Sequence, residues 1–135
     1  MIAGCVYSAF DEADLPRNVK LLGYVDDLTL VYDAVDIGVN PVTSGGGSNV
    51  KVPEYFANRL PVITMASGAR GIPARDGDGL LIRRLEAFLD AIRRLSTNES
   101  ERAALAATAY ELFTDELNWE HISSDLFDQL RARTD

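Results

Sequence analysis

The sequence has few of the residues that build disulfides, zinc sites and histidine-based active sites. Its 135 residues include one cysteine and one histidine. A single cysteine, Cys5, excludes an internal disulfide, argues against a cysteine-based zinc site and favours a reducing cytoplasm. Cys5, Ser44 and Ser48 have no partner base that the sequence identifies, so nucleophilic catalysis has no support. The one histidine, His121, is better explained as a structural or surface residue.

Basic charge and long apolar runs are scarce as well. The chain has 13 Lys and Arg against 21 Asp and Glu, a net charge of −8. This charge argues against nucleic acid, whose phosphates need a basic patch, and disfavours an anionic membrane surface. It leaves room for one local cationic pocket. No apolar run approaches transmembrane length, and Met1 is not followed by a basic region, so we expect no signal peptide.

The residues that are present predict one soluble α/β domain over residues 1–135. Hydrophobic residues make up 47% and charged residues 25%, as in ordinary globular proteins. Short apolar runs alternate with amphipathic segments and tight hairpin signals are missing, which predicts a mainly parallel sheet. The predicted strands are Ile2–Ser8, Val19–Val25, Ile37–Val42, Pro61–Met65 and Leu80–Ile82.

Helical spacing of apolar residues predicts the elements between and after these strands. Asp26 and Asp27 are expected to cap the first helix, and the motif Asn98-Glu99-Ser100-Glu101 begins the fourth. The predicted helices are Leu28–Val35, Asn49–Arg59, Leu85–Leu95, Asn98 to about Leu117, and Trp119 to about Arg131. The third helix is expected to bury Leu85, Phe88, Leu89, Ile92 and Leu95, and the last helix Ile122, Leu126, Phe127 and Leu130.

The segment Ile37–Met65 predicts a strand, a glycine-rich loop, a helix and a second strand. Open parallel sheets bind ligands at the carboxyl ends of their strands, where loops and helix starts offer backbone N–H groups. The loop glycines Gly45, Gly46 and Gly47 match neither common phosphate-binding motif, since Val50 occupies the last glycine position of G-x-G-x-x-G. A flexible turn is the alternative interpretation of these glycines.

Lys51 and Glu54 share a face in the first turns of the Asn49–Arg59 helix. Pro53 falls in the first turn, where its missing N–H costs little, and so supports a start near Asn49. A helix start with a lysine suits an anion, and a carboxylate can accept hydrogen bonds from vicinal hydroxyls. These features predict a nucleotide or a sugar nucleotide as ligand. The alternative is a surface ion pair, which contributes little.

A series of short motifs lies in order between about residues 19 and 130. They are Leu22-Gly23-Tyr24-Val25, Ala34-Val35-Asp36-Ile37, Asn40-Pro41, Lys51, Glu54-Tyr55, Ala57 and Pro61-Val62-Ile63, followed by Gly77–Ile82 and Trp119. With these motifs the chain resembles the carboxyl-terminal domain of GT-B glycosyltransferases of the family 4 type (glycosyl transferases group 1).

The resemblance implies an incomplete half of a GT-B fold, with a Rossmann-like sheet and flanking helices. The implied activity is transfer of a hexosyl group from a UDP- or GDP-sugar donor to an acceptor, without a metal or other cofactor. Glu54 matches the family glutamate that binds the donor ribose, and the Gly45–Gly47 loop matches the segment whose backbone N–H groups approach the donor sugar and diphosphate. Gly23, Tyr24 and Val25 match the strand end where the base lies. The predicted donor-binding residues are Gly23, Tyr24, Val25, Gly45, Gly46, Gly47, Ser48, Asn49, Lys51, Glu54 and Tyr55.

The chain departs from the family pattern at three points. Gly46 stands where a sugar-reading glutamate is expected, which leaves the donor sugar and the stereochemistry open. Arg59 replaces the usual glycine at the helix end. The strand and helix that open the complete domain, the basic pair for the diphosphate and the acceptor domain with its catalytic histidine have no match here. We therefore expect weak donor binding and no transfer by this chain alone, and no catalytic residue is assigned.

The missing strand also motivates a second hypothesis from another functional class. An uncovered parallel strand invites pairing, so the chain could instead be a non-catalytic α/β module that forms a homodimer through its sheet. As part of a full enzyme, by contrast, the cytoplasmic protein could lie at the inner membrane surface.

Two smaller features have competing interpretations. Asp76-Gly77-Asp78-Gly79 could begin a calcium loop, but the later acidic ligands are absent, so a turn is the preferred interpretation. Arg70 and Arg75 flank the loop after the Pro61–Met65 strand, where either could replace a missing phosphate contact.

Overall fold

The computed structural model describes residues 1–3, 14–45 and 49–132 and divides into two compact units, residues 1–31 and 32–135, each described here by itself. Strands alternate with helices between residues 21 and 64, and three further α-helices follow the last strand, which confirms the predicted α/β class. The strands are β1 (Ile2–Ala3), β2 (Leu21–Gly23), β3 (Gly38–Asn40), β4 (Val62–Thr64) and β5 (Leu80–Ile82). The helices are α1 (Thr29–Asp33), α2 (Lys51–Ala57), α3 (Phe88–Thr97), α4 (Glu99–Leu112) and α5 (Trp119–Ala132).

The first unit pairs β1 with β2 in parallel, with Ile2 opposite Leu21. The remainder of the predicted Ile2–Ser8 strand lies outside the described residues. Asp27 accepts a hydrogen bond from the backbone N–H of Thr29 at 2.9 Å, so one of the two predicted caps of α1 is confirmed. The Thr29 hydrogen bonds also hold the pKa of Asp27 below its usual value.

The second unit contains a three-stranded parallel sheet in the order β3-β4-β5. Gly38 lies opposite Val62, and Val62 lies opposite Leu80, with the same register along both strand pairs. The prediction of a mainly parallel sheet is confirmed. Because all three strands run the same way, the loops that follow β3 and β4 leave the sheet at one edge.

Helices cover both faces of this sheet. Successive strand residues point to opposite sides, and both sides carry apolar residues that the helices bury. Val62 and Leu80 face α2 and the second half of α4, whereas Ile63 and Leu81 face α3. The first core cluster consists of Val52, Phe56, Val62, Leu80 and Ala109. The second consists of Ile63, Leu81, Phe88, Ala91, Leu95 and Leu105.

A glycine before β5 lets α4 lie directly on the sheet. Gly79 adopts φ +79°, and a Cβ there would lie 2.6 Å from the Cα of Ala109. Asn98 caps α4 as predicted, since its Oδ1 accepts the N–H of Glu101 at 3.1 Å and its Nδ2 donates to the Glu101 carboxylate. The helix then continues into a π-helical turn, Phe113–Leu117.

The predicted apolar face of the third helix is only partly correct. Residues Leu85–Ala87 form a 3₁₀ turn, and the α-helix begins at Phe88. The tighter turn changes the angular spacing, so Leu85 and Leu89 are exposed while Phe88, Ala91 and Leu95 are buried.

The predicted burial of α5 is wrong. Periodicity identifies an apolar face, but burial requires a surface that packs against it, and α5 packs mainly beside the turn that precedes it. None of the described helices is long and apolar enough to cross a membrane. The exposed side chains of α5 include Trp119, Ile122, Leu126, Phe127 and Leu130.

Candidate functional site

The loops after β3 and β4 are joined by side-chain hydrogen bonds at the carboxyl-terminal edge of the second unit's sheet. The Ser67 hydroxyl donates to the carbonyl of Val42. The Arg70 guanidinium donates to the carbonyl of Gly45 at 2.6 Å. Arg70 therefore places a cation beside the first loop glycine, whereas Arg75 donates its backbone N–H to the Asp78 carboxylate.

Asn49, which follows the first loop, also holds the loop after β4 by hydrogen bonds. Its amide nitrogen donates to the carbonyls of Ser67 and Arg70, each at 3.1 Å. Asn49 does not cap α2, which begins at Lys51 after a helical Val50 that makes no side-chain cap. The predicted start near Asn49 is therefore two residues early, because the Asn49 side chain is engaged with the neighbouring loop.

The start of α2 has fewer free backbone N–H groups than the sequence led us to expect. The N–H of Val52 bonds to the Asn49 carbonyl and that of Glu54 to the Val50 carbonyl, while Pro53 has no N–H. The helix has only seven residues, so its dipole is small. Any anion held here must rely on side-chain cations and on the loop rather than on the helix start alone.

Glu54 is held by two donors that both reach the same carboxylate oxygen. Lys51 Nζ lies 2.9 Å from Glu54 Oε2, and the hydroxyl of Tyr32 lies 3.2 Å from the same atom. The Lys51 and Glu54 side chains are 58% and 38% exposed, so the carboxylate remains accessible. Glu54 Oε1 has no hydrogen-bond partner among residues 14–45 and 49–132. The predicted Lys51–Glu54 pair is thus present, with a third member that the sequence analysis missed.

Tyr32 and Tyr55 form the wall behind this carboxylate. Their rings meet edge to face, with centroids 6.1 Å apart and planes at 87°. Tyr55 also lies directly on Gly38, where a Cβ would come within 2.7 Å of the ring. The structure thus places Tyr55 against β3 and Tyr32, and its donor-binding role stays a prediction.

The protonation states of the cluster favour donation to Glu54. Burial, followed by the negative charge of Glu54, raises the pKa of the Tyr32 hydroxyl. Burial likewise raises the pKa of Tyr55. The hydrogen bond to Glu54 raises the pKa of Lys51. At neutral pH both tyrosines are therefore protonated and Lys51 is charged, so Tyr32 and Lys51 act as donors.

A buried polar pair, Asn40 and Thr64, joins the ends of β3 and β4 where the two loops begin. Asn40, the last residue of β3, donates to the hydroxyl of Thr64, the last residue of β4, at 3.2 Å. That hydroxyl lies 3.2 Å from the Asn40 carbonyl, which accepts from it. Gly68 lies on top of both side chains, since a Cβ there would be 2.3 Å from Thr64 Oγ1 and 2.6 Å from Asn40 Nδ2. None of these three residues was among the predicted site residues.

The other predicted site residues lie elsewhere in the chain. Gly23 ends β2 with φ +65°, and Tyr24 and Val25 follow it in the first unit. Gly46, Gly47 and Ser48 lie outside the described residues. The structure therefore brings together Gly45, Asn49, Lys51, Glu54 and Tyr55 around one edge of the second unit's sheet.

The described residues hold no group of three or more His, Cys, Asp or Glu side chains that could bind a metal ion. Asp76 instead accepts hydrogen bonds from Arg83 and from the N–H of Ile82, both at 2.7 Å. Asp78 accepts from the backbone N–H of Arg75. These contacts support a turn rather than a calcium loop at 76–79.

The comparisons with known proteins agree with this architecture. The profile of the family described as glycosyl transferases group 1 matches residues 2–98. A crystal structure of the C-terminal domain of a glycosyl transferase group 1 family protein (LpcC) from Francisella tularensis is similar, with a TM-score of 0.66 and 24% identity. The match covers 80% of this chain and 58% of that one.

A curated relative is 25% identical over 103 residues, an uncharacterized 44.6 kDa protein in the cps region of Klebsiella pneumoniae. The match covers 76% of this chain, which spans about a quarter (26%) of that protein's length. The family match extends over more than half of the chain, from the first strand to the start of α4. The chain therefore belongs to the glycosyl transferases group 1 family, and its α/β fold is that of part of the C-terminal domain of a GT-B glycosyltransferase.

Proposed function

We propose that this chain binds the nucleotide-sugar donor of a hexosyltransferase, with Glu54 on the ribose hydroxyls. The observation that carries the proposal is the arrangement of the Glu54 carboxylate. Lys51 and Tyr32 both donate to Oε2, and the Glu54 side chain, at the carboxyl-terminal edge of a parallel sheet, is 38% exposed. A carboxylate oxygen has two lone pairs, which suits the two adjacent hydroxyls of a ribose.

The donor diphosphate would lie between Lys51 and the loop that contains Gly45. Arg70, in the loop after β4, is already bonded to the Gly45 carbonyl, and Lys51 follows the glycine loop in sequence. In the reaction, leaving-group charge develops on the diphosphate, and preorganised N–H groups and cations stabilise that charge without a metal. Gly45, Gly46, Gly47, Ser48 and Asn49 would supply the loop contacts.

The base would be bound by Gly23, Tyr24 and Val25, as the family resemblance implies. The acceptor and the catalytic groups would come from a separate domain. We therefore expect the 135-residue chain to bind a UDP- or GDP-sugar and to transfer no hexose by itself. The proposal includes a cytoplasmic location, at the inner membrane surface when the chain is part of a full enzyme. The alternative of a self-associating module stays a prediction.

Calorimetric titration with UDP-glucose and GDP-mannose tests the proposal. Removing a carboxylate that accepts hydrogen bonds costs about 1.5–3 kcal/mol, so Glu54→Ala should weaken binding about 10- to 100-fold. Glu86→Ala is the matched control, because Glu86 is an exposed glutamate whose ion-pair contact, with Arg84, is 3.6 Å long. The control should bind as the unchanged chain does.

Two results would contradict the proposal. The first is that neither nucleotide sugar binds at millimolar concentration. The second is that Glu54→Ala and Glu86→Ala bind with the same affinity as the unchanged chain, which would place any nucleotide away from Glu54.

A further inference from the structure

We propose that Tyr32 is the positioning residue of the donor site: its hydroxyl orients the Glu54 carboxylate so that Oε1 faces the ribose. The inference rests on the proposed function for its ligand and on the contacts of Tyr32 for its mechanism. Tyr32 lies 22 residues before Glu54, on another helix, and is not among the residues that the family resemblance assigns to the donor.

Lys51 cannot orient the carboxylate by itself. It lies on the same short helix three residues before Glu54, and its side chain is 58% exposed. Exposed ion pairs of this kind are weak, because the lysine side chain has four rotatable bonds and water competes for its ammonium group. Lys51 can neutralise Glu54 without restricting the direction of its second oxygen.

Tyr32 supplies the missing restriction because its ring is fixed by packing. Its edge meets the Tyr55 ring at 87°, and Tyr55 is in turn pressed onto the backbone of β3 at Gly38. A tyrosine has only two side-chain torsions, so a packed ring places its hydroxyl with little freedom. The hydrogen bond from the Tyr32 hydroxyl therefore fixes the carboxylate of Glu54 relative to the sheet.

Because both donors bond to Oε2, the two carboxylate oxygens have different roles: Oε2 holds the side chain in place and Oε1 binds the ligand. Oε2 receives both Tyr32 and Lys51, which satisfies its two lone pairs. Oε1 keeps both of its lone pairs for the ligand. In the absence of the tyrosine hydroxyl, the Glu54 side chain can adopt other rotamers that move the carboxylate away from the ligand, and part of the preorganisation is lost.

The first test compares nucleotides with and without the ribose hydroxyls. The unchanged chain, Tyr32→Phe, Glu54→Ala and the double variant are titrated with UDP and GDP and with their 2′,3′-dideoxy analogues. We expect Tyr32→Phe to weaken binding of the ribonucleotide about three- to ten-fold and to leave the dideoxy analogue unaffected. In the Glu54→Ala background the tyrosine change should have no further effect.

Tyr110→Phe is the matched control, because Tyr110 is a half-buried tyrosine on α4 whose ring, rather than its hydroxyl, contacts Arg59. It should bind every nucleotide as the unchanged chain does. A merely structural role of Tyr32 would weaken ribonucleotide and dideoxy analogue equally, and that result would overturn the inference. An unchanged affinity for the ribonucleotide in Tyr32→Phe would overturn it too.

The second test needs no ligand and separates this inference from the proposed function. NMR scalar couplings report whether the Glu54 side chain occupies one rotamer or several. We expect one dominant rotamer in the unchanged chain and averaged couplings in Tyr32→Phe. If the couplings stay the same, the positioning role is wrong even where nucleotides bind. If they change while no nucleotide binds, the proposed function fails and the positioning of Glu54 by Tyr32 stands.

Discussion

Arg59 offers a direct test of how α2 ends. The residue adopts φ +56°, the left-handed conformation that glycine usually provides at a helix end. The N–H of Leu60 bonds to the Tyr55 carbonyl at 2.9 Å and that of Arg59 to the Phe56 carbonyl at 3.0 Å. These two bonds form a Schellman motif, so the chain makes the turn that the family makes with glycine.

The Arg59 side chain compensates in part for the backbone strain. Its guanidinium lies over the Tyr110 ring, 3.6 Å from the centroid. An exposed cation–π contact contributes about 0.5–1 kcal/mol. The left-handed conformation costs a residue with a side chain about 1–2 kcal/mol, and glycine avoids this cost but loses about 0.5–1 kcal/mol to the flexibility of the unfolded chain.

Two substitutions separate these contributions. Arg59→Ala keeps the strain and loses the ring contact, so we expect the free energy of unfolding to fall by about 0.5–1 kcal/mol. Arg59→Gly loses the same contact and relieves the strain, so it should be about 0.5–1 kcal/mol more stable than Arg59→Ala. Arg59→Gly should therefore lie close to the unchanged chain.

Urea denaturation followed by circular dichroism measures all three chains under one set of conditions. Tyr110→Leu is the control for the ring contact: it should destabilise the unchanged chain more than it destabilises Arg59→Gly. An Arg59→Gly chain that is less stable than Arg59→Ala would refute the reasoning, because the left-handed backbone would then cost nothing measurable.

Two further predictions concern the support of the site and the turn before β5. Gly68→Ala would push a methyl group into the buried Asn40–Thr64 pair, so we expect a loss of about 1–3 kcal/mol in the free energy of unfolding, measured by thermal melting. Ala69→Gly, at the neighbouring position, serves as the control. Equal stability of Gly68→Ala and the unchanged chain would contradict the close approach of Gly68 to the Asn40 and Thr64 side chains. At Asp76, burial raises the pKa, but the Arg83 and Ile82 hydrogen bonds and the charges of Arg83 and Arg94 outweigh it and hold the pKa below 3.8. The lowered pKa contributes stability that is present above about pH 4 and is lost as the pH falls through the folded value. Asp76→Asn should therefore destabilise the chain at neutral pH, and the difference should shrink in urea melts below about pH 4; a constant difference would argue against it.

Local sequence patterns were sufficient for much of the fold. Leu80–Ile82 is a strand with the predicted bounds, and Asn98 caps α4 through Glu101 as its motif indicates. The Lys51–Glu54 pair followed from spacing within one helix. These features depend on residues a few positions apart, so propensity, periodicity and capping chemistry determine them.

The tertiary structure decided which of these local features meet. No spacing rule relates Tyr32 to Glu54, 22 residues away, or Asn49 to the carbonyls of Ser67 and Arg70. The apolar stripe of α5 was visible in the sequence, yet its exposure depends on whether another surface packs against it. The sequence by itself therefore determined the elements and the carboxylate at the site. Packing between elements distant in the chain decided how that carboxylate is oriented and which apolar faces are buried, because those contacts depend on the relative positions of whole helices and strands.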